Sequence, residues 1–465
     1  MRNGLIPFLR QTGGTLRLAA RTALRTRTVG AVLVLLAACV GLLPRAVHGD
    51  GTPSGDMQIL LQYTLGFAFF ILCLATLWSA CALLAAEIDS RRIHLTAVKP
   101  VRAISLWLGR WLALLAIQAA LLAVIYLGTY AQLHWRMRRD GWRPTDRPAS
   151  RRVTRPLLPP PREEARAMLA SMRASGTRPQ GVGDAAILRA LETKAREKFD
   201  VVNPGQDVRW RFRLGRPLRP GGPLTVRLRF DSEYSTREHV RGVCRIWPEA
   251  HPERAVEHPL DNFTLNEIAF PVDTRAFAGA SGRDTESLRE FVLSFRHAGE
   301  ARRVSALMLR FRQDVALLTA GGSFEANLAR AALLQWAVLA LLAAFGLTLS
   351  ACFSMPVAAF VATLTLALTL LGHSVVRTVS VEEEQAWRNR IGIWVSRGIS
   401  SVTSRAVRAE PLTSLTRGER IGTDRIGETL LWNALLLPLG LAGVGVLVLR
   451  RREWADTESC GKGHT

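Results

Sequence analysis

The chain has 465 residues, of which 48% are hydrophobic and only 7% are aromatic, and its formal net charge is +23. The apolar residues stand in long blocks instead of recurring at helix or strand spacing, which excludes an ordinary soluble protein of two or three domains. Lys occurs only four times, so the positive charge comes almost wholly from Arg spread along the chain. Because a nucleic-acid interface would concentrate that charge, we expect no nucleic-acid partner.

The apolar blocks predict six transmembrane helices. The block 331–376 is too long for one span and is expected to break at Ser354-Met355-Pro356, because proline cannot continue a helix interior. The first block contains Leu36-Ala37-Ala38-Cys39, which is similar to a lipoprotein cleavage motif, but apolar VGLLP follows the cysteine and favours an uncleaved span. The predicted helices occupy 29–44, 57–86 and 104–130 within the segment 29–131, then 328–376 as a pair, and finally 429–452.

Arg-rich short segments predict the orientation of these helices. The segment 1–28, the loop 87–103 and the end of the last span (Arg450, Arg451 and Arg452, with the tail 453–465) fall on one side if there are six spans. The positive-inside rule makes that side cytoplasmic and places 132–327 and the loop 377–428 outside. Segment 1–28 is interpreted as an amphipathic helix on the inner leaflet, in contact with membrane lipid, with a solvated tail as the alternative.

The large polar region divides into two parts. Residues 132–204 contain a Pro-rich spacer and helical patterns over 162–198, and predict an extracytoplasmic linker with helices. From 205 to 327 the hydrophobic period changes to two, with expected strands at 208–214, 224–230, 241–247, 266–272, 289–296 and 303–312. We predict an extracytoplasmic β-sandwich without a disulfide, because Cys244 is its single cysteine. Its rows of Arg are expected to form a solvated face, with an anion site as the alternative.

The loop between the second and third spans carries a recognisable pattern. Glu87 ends one span, Arg91 and Arg92 begin a short amphipathic helix, and Lys99-Pro100-Val101-Arg102 leads to Gly109-Arg110 in the next span. This pattern resembles the cytoplasmic coupling region of ABC-2 type transporter permeases, in the branch of the copper-maturation and gliding-motility permeases. Leu415, Gly418, Ile421 and the terminal Arg451-Arg452-Glu453 also resemble that family's ending.

The resemblance implies a permease subunit in a bacterial cytoplasmic membrane. The implied partners are a cytoplasmic ABC ATPase, a second permease subunit as homo- or heterodimer, and an unidentified ligand of the outer domain. Glu87, Arg91, Arg92, Lys99, Pro100 and Arg102 are then the residues that couple the chain to the ATPase. The alternative is a loop that only sets topology through its positive charge.

Catalytic motifs are absent from the sequence. No GxxxxGK[ST], GxSxG or HExxH occurs, and no His/Cys cluster has metal spacing, so we expect no enzyme activity and no bound cofactor, with ATP and Mg in the partner subunit. His373 is interpreted as an interfacial polar residue, with a proton site as the alternative. The competing function is a membrane-anchored envelope binding or assembly protein whose sandwich holds a glycan or a protein, but an anchor needs only one or two spans. A membrane enzyme ranks third.

Overall fold

In the computed structural model the chain divides into two compact units, residues 1–149 with 323–465 and residues 150–322. The residues that the structure describes are 5–25, 27–46, 53–89, 103–142, 149–157, 161–176, 184–196, 199–219, 221–232, 237–277, 287–298, 307–310, 314–375 and 411–460.

The first unit is helical. The α-helices of this unit are α1 (Leu5–Arg25), α2 (Arg27–Ala46), α3 (Pro53–Ile59), α4 (Gly66–Asp89), α5 (Ala103–Arg139), α8 (Phe324–Cys352), α9 (Met355–Val375), α10 (Leu412–Thr416), α11 (Thr423–Thr429) and α12 (Leu437–Cys460). Two π-helical segments interrupt the long helices: π1 (Leu60–Leu65) joins α3 to α4, and π2 (Leu430–Leu436) joins α11 to α12.

Five helices in the described residues are long and apolar enough to cross a membrane, as in a multi-pass membrane protein. These are Thr28–Ala46, Gly55–Leu84, Ala103–Arg139, Phe324–Cys352 and Thr423–Val448. The predicted break in the block 331–376 is confirmed, because α8 ends at Cys352 and α9 begins at Met355 with Pro356 in its first turn. The described apolar part of α9, Met355–Leu368, is shorter than a span, so the sixth transmembrane helix remains a prediction.

Helix α8 lies at the centre of this unit and packs against α4, α5, α9 and α12. Its buried residues go round the whole helix and are mainly Ala and Leu, including Ala337, Ala340, Ala343 and Ala344. A helix that is apolar all round has no solvent-facing side, and small side chains allow its neighbours to approach closely. The composition of α8 therefore explains why these four helices pack around it.

The second unit contains a helical hairpin and three antiparallel sheets. The hairpin consists of α6 (Pro161–Ala174) and α7 (Asp184–Arg196), which share a small core of Ala165, Leu169, Ile187 and Leu191. The strands are β1 (Ser150–Thr154), β2 (Phe199–Val202), β3 (Asp207–Arg213), β4 (Leu224–Arg229), β5 (Asp231–Ser232), β6 (His239–Pro248), β7 (Val256–Phe263), β8 (Glu267–Val272), β9 (Glu290–His297), β10 (Leu307–Arg310) and β11 (Val315–Gly322). Their orders are β1-β11-β4-β8, β2-β10-β5 and β3-β9-β6-β7.

All three sheets contribute to one hydrophobic core. On β3, Trp210 and Phe212 are buried in that core while Arg209, Arg211 and Arg213 are exposed, which is the predicted period of two. The six predicted strands correspond to β3, β4, β6, β8, β9 and β10. A two-layer sandwich remains a prediction.

The sheet region extends beyond the predicted limits of 205–327. Strands β1 and β2 lie within 132–204, where the sequence predicts only a linker with helices. The sequence of β1, Ser-Arg-Arg-Val-Thr, has no apolar alternation. The strand forms at the edge of its sheet through backbone pairing with β11. Such an edge strand depends on backbone pairing, which periodicity does not reveal.

Candidate functional site

Most of the predicted coupling residues fall outside the described part of the chain. Glu87 belongs to the last turn of α4, although its side chain is not among those described. Arg91, Arg92, Lys99, Pro100 and Arg102 lie in 90–102, outside the described residues. The assignment of these six residues to ATPase coupling therefore stays a prediction, and the described site consists of the two helices that bracket the segment.

Gly109 of the sequence pattern lies where α1 crosses the beginning of α5. A Cβ atom at Gly109 would lie 1.9 Å from Thr15 Oγ1 and 2.7 Å from Thr15 Cβ, far inside van der Waals contact. The Thr15 hydroxyl can donate to the backbone carbonyl of Ser105 across this crossing, with an oxygen–oxygen distance of 3.1 Å. Glycine is required at 109 because the backbone of α5 meets the side chain of α1 there.

The two faces of α1 differ in chemistry. Thr12, Thr15 and Ala19 lie on one face, where Thr12 and Ala19 are buried. Arg10 and Arg17 are exposed on the opposite face, since seven residues make nearly two helical turns. The structure has a helix, α1, within the segment where the sequence predicts an amphipathic one, and its buried face consists of small residues packed on α5. The location of α1 on the inner leaflet remains a prediction.

Arg110, the basic residue that follows this glycine, is buried at 4% exposure and has an interaction partner. A guanidinium stays charged in a protein, so its burial in an apolar helix requires compensation. Arg110 therefore belongs to the packed interior of the helical unit and is not one of the exposed basic residues that set membrane topology.

The three residues of the family-like ending, Leu415, Gly418 and Ile421, come together around α10. Leu415 and Ile421 are fully buried, and Gly418 has a φ of 64°, a conformation that favours glycine. The Asn327 side chain of α8 forms two hydrogen bonds with this segment. Its Nδ2 donates to the Glu419 carbonyl at 2.9 Å, and its Oδ1 accepts from the Ile421 amide at 2.9 Å. These two hydrogen bonds fix the turn after α10, which gives a structural reason for the spacing of Leu415, Gly418 and Ile421.

Polar side chains join the long helices to one another. The ring N–H of Trp111 on α5 donates to the Ala340 carbonyl at 2.9 Å, and Trp336 on α8 donates to the Leu115 carbonyl at 3.1 Å. Pro44 leaves the Val40 carbonyl of α2 without its helical donor, and Gln132 of α5 supplies one at 2.5 Å. Within a bilayer, burial of apolar surface does not drive helices together, so interhelical hydrogen bonds of this kind help to hold them.

The exposed arginines of the second unit are largely compensated by carboxylates. Arg211 lies 3.6 Å from Glu249, Arg213 lies 2.6 Å from Glu290, and Arg245 lies 2.9 Å from Glu257. Such exposed ion pairs contribute little to stability, and they neutralise the charge that an anion site needs. The row on β3 therefore fits the predicted solvated face.

Arg227 departs from that prediction. It belongs to the second Arg row but is only 4% exposed, with its Nη1 atom 3.6 Å from Glu267 Oε1. β4 is an inner strand of its sheet, and residues 224–228 are all buried, so both faces of the strand are covered at Arg227. Burial, together with the charge of Arg227, also lowers the pKa of Arg151.

Several residues of interest escaped the sequence reasoning, among them Asn327, Gln335 and Asn433. All three are 1% exposed within apolar helices. A polar residue inside an apolar block is a signal available in the sequence, because such residues are costly in a membrane and face the protein interior.

His373 lies in α9 with its side chain outside the described set, and Cys39 is buried within α2.

Within the described residues, no group of three or more His, Cys, Asp or Glu side chains is arranged to hold a metal ion. No protein-family model matches the chain, and the comparisons with curated proteins and with solved structures found no match.

Proposed function

We propose that the chain is the membrane-spanning permease subunit of an ABC-2 type transporter, which moves a substrate with ATP hydrolysed by a separate subunit. The observation that carries the proposal is the pattern from Glu87 to Arg110, which joins two long apolar helices, α4 and α5, through the short segment 90–102. A permease without its own phosphate-binding loop must receive force from an ATPase, and a short segment held between two spans can transmit it.

Two features of the helical unit support this proposal. The glycine of the pattern is a packing position for α1, so the residues that follow the segment 90–102 are fixed to a second helix at the same end of α5. Three of the other four candidate spans in the described residues also pack against one central helix, α8. A simple membrane anchor requires neither feature.

Charge reversal at Arg102 tests the proposal. We expect Arg102→Glu to lose the cytoplasmic ATPase that co-purifies with the tagged full-length chain, because a carboxylate would then face an acidic docking surface. Like-charge contacts at an interface cost several kcal/mol, which corresponds to a roughly hundredfold or greater loss of affinity. The measurement is the ratio of ATPase to permease after purification from membranes.

The control is Arg216→Glu, an exposed position after β3 that makes the same charge change in the outer domain. Arg227→Glu is unsuitable as a control, because Arg227 is buried and its reversal would disturb the fold. If Arg102→Glu and Arg216→Glu retain the same amount of ATPase, the coupling assignment is contradicted. The envelope-binding alternative then becomes the preferred function.

A further inference from the structure

The segment π2 (Leu430–Leu436) has an unusual burial pattern. Its sequence is Leu-Leu-Trp-Asn-Ala-Leu-Leu, and its one buried residue is Asn433, at 1% exposure. Leu431, Leu435 and Leu436 are between 42% and 49% exposed. In this membrane-type helix the leucines face outward and the amide faces the protein interior, which reverses the distribution found in soluble proteins.

The Asn433 side chain lacks internal compensation. Neither its Oδ1 nor its Nδ2 atom has a hydrogen-bond partner among the described residues. Burying an amide without a hydrogen bond is unfavourable, and a bilayer supplies no water to the outside of the helix. An amide kept in this position needs water or a ligand inside the unit.

Two further amides on neighbouring helices have free hydrogen-bonding capacity. In the described structure Gln118 Oε1 on α5 and Gln335 Nε2 on α8 are buried without a partner. The Tyr126 hydroxyl donates to Gln335 Oε1 at 3.0 Å, which orients that amide so that its nitrogen remains available as a donor. Helix α8 packs against both α5 and π2, so all three amides belong to helices that meet at α8.

The π-helical geometry is a second observation at the same place. A π-helical turn contains more residues than an α-helical turn and shifts the faces that follow it, and such segments occur frequently at functional sites. Thr429, four residues before Asn433, is also buried, at 8% exposure. The inward face of this span therefore begins with a hydroxyl and an amide, and not with large apolar side chains.

We propose that Asn433 and Thr429 line a water-accessible polar site inside the helical unit, which binds an uncharged group with hydrogen-bond donors and acceptors, such as a hydroxyl or an amide. Asn433 supplies one acceptor and two donors, and neither it nor Thr429 carries a charge. The role of the site in a transport path rests on the proposed permease function, but the existence of the site does not.

Cysteine accessibility in the full-length chain tests the proposal. Asn433→Cys and Thr429→Cys are made in a background in which all native cysteines are replaced, and the protein is reconstituted in liposomes. The probes are 2-hydroxyethyl methanethiosulfonate, which is neutral, and 2-sulfonatoethyl methanethiosulfonate, which is anionic. Only the thiolate reacts, so reaction requires water around the sulfur.

Two controls lie on the same helix. Ala442→Cys is equally buried, at 1% exposure, but lies in an apolar cluster, and Leu431→Cys is 48% exposed on the apolar outer face. We expect the neutral reagent to label Asn433→Cys on the order of tenfold faster than either control, because a thiol in apolar surroundings stays protonated. Rates are normalised to Arg216→Cys, and the normalised rate of the anionic reagent is expected to be lower than that of the neutral one.

The proposal is overturned if Asn433→Cys and Thr429→Cys react no faster than Ala442→Cys with the neutral reagent. It is also overturned if both reagents give equal normalised rates, since the site would then not select uncharged groups. Thr429→Cys gives an independent result if Asn433→Cys fails to insert. If Arg102→Glu retains as much ATPase as Arg216→Glu while Asn433→Cys is still labelled, the permease function is contradicted and the polar site stands.

Discussion

Substitution of Gly109 is the most direct test of the crossing between α1 and α5. In Gly109→Ala the new Cβ lies 1.9 Å from Thr15 Oγ1, whereas ordinary contact begins near 3.4 Å. Rotation of the Thr15 hydroxyl cannot relieve the overlap, because Thr15 Cβ itself lies only 2.7 Å away. Helix α1 must therefore move away from α5 or lose its ordered contact.

The magnitude follows from the overlap itself, because overpacking a close contact costs about 1–3 kcal/mol. Loss of the bond from Thr15 to the Ser105 carbonyl adds little, since the Thr15 hydroxyl can donate instead to the Thr12 carbonyl of its own helix at 2.9 Å. The docked state of α1 is therefore destabilised by about 1–3 kcal/mol, or roughly 5- to 150-fold in its equilibrium constant. Hydrogen exchange of the α1 amides over residues 12–19, in lipid nanodiscs, measures this change directly.

Two comparisons isolate the cause. Gly128→Ala on the same helix meets only the Cγ1 atom of Val40, at 3.1 Å, and should leave α1 exchange unchanged. In a Thr15→Ala background the Oγ1 overlap is absent, so Gly109→Ala should cost less than it does in the native chain. Unchanged protection of residues 12–19 in Gly109→Ala would refute the crossing geometry.

Four further predictions concern the membrane topology and the domain of residues 150–322. Reporter fusions after Gly321 and at the C-terminus should report opposite sides of the membrane, whereas the same side for both would mean that α9 does not span. Residues 150–322 expressed alone should give a β-rich circular dichroism spectrum that reductant does not change. Because burial raises the pKa of Cys244 to about 12, its thiol should react with thiol reagents only after this domain unfolds, and rapid labelling of the folded domain would contradict its buried position. Burial lowers the pKa of His297, so the folded domain favours the neutral ring while the unfolded chain takes up a proton near pH 6.5. Its stability to denaturant should therefore fall as the pH decreases through about 6.5 and level off below the folded-state pKa, and His297→Phe should remove that component.

The sequence determined the helical blocks and most of the strands. Apolar blocks, and a proline that interrupts the longest one, suffice to predict where α8 ends and α9 begins, because both signals are local. The same holds for β3, where alternating aromatic residues and arginines already distinguish the buried face from the exposed one. Local patterns of this kind need no knowledge of what they pack against.

The tertiary structure alone decided the features that depend on a partner element. Gly109 matched a sequence pattern, but the reason for glycine there is Thr15, which is 94 residues earlier in the chain. β1 exists because β11 offers it backbone groups, and Arg227 is buried because both faces of β4 are covered. Asn433 is similar: its sequence shows an amide among leucines, but only the packing of π2 on α8 shows that this amide faces inward. Periodicity reports which side of an element is apolar, whereas the identity of its neighbours is set by long-range packing that no local pattern encodes.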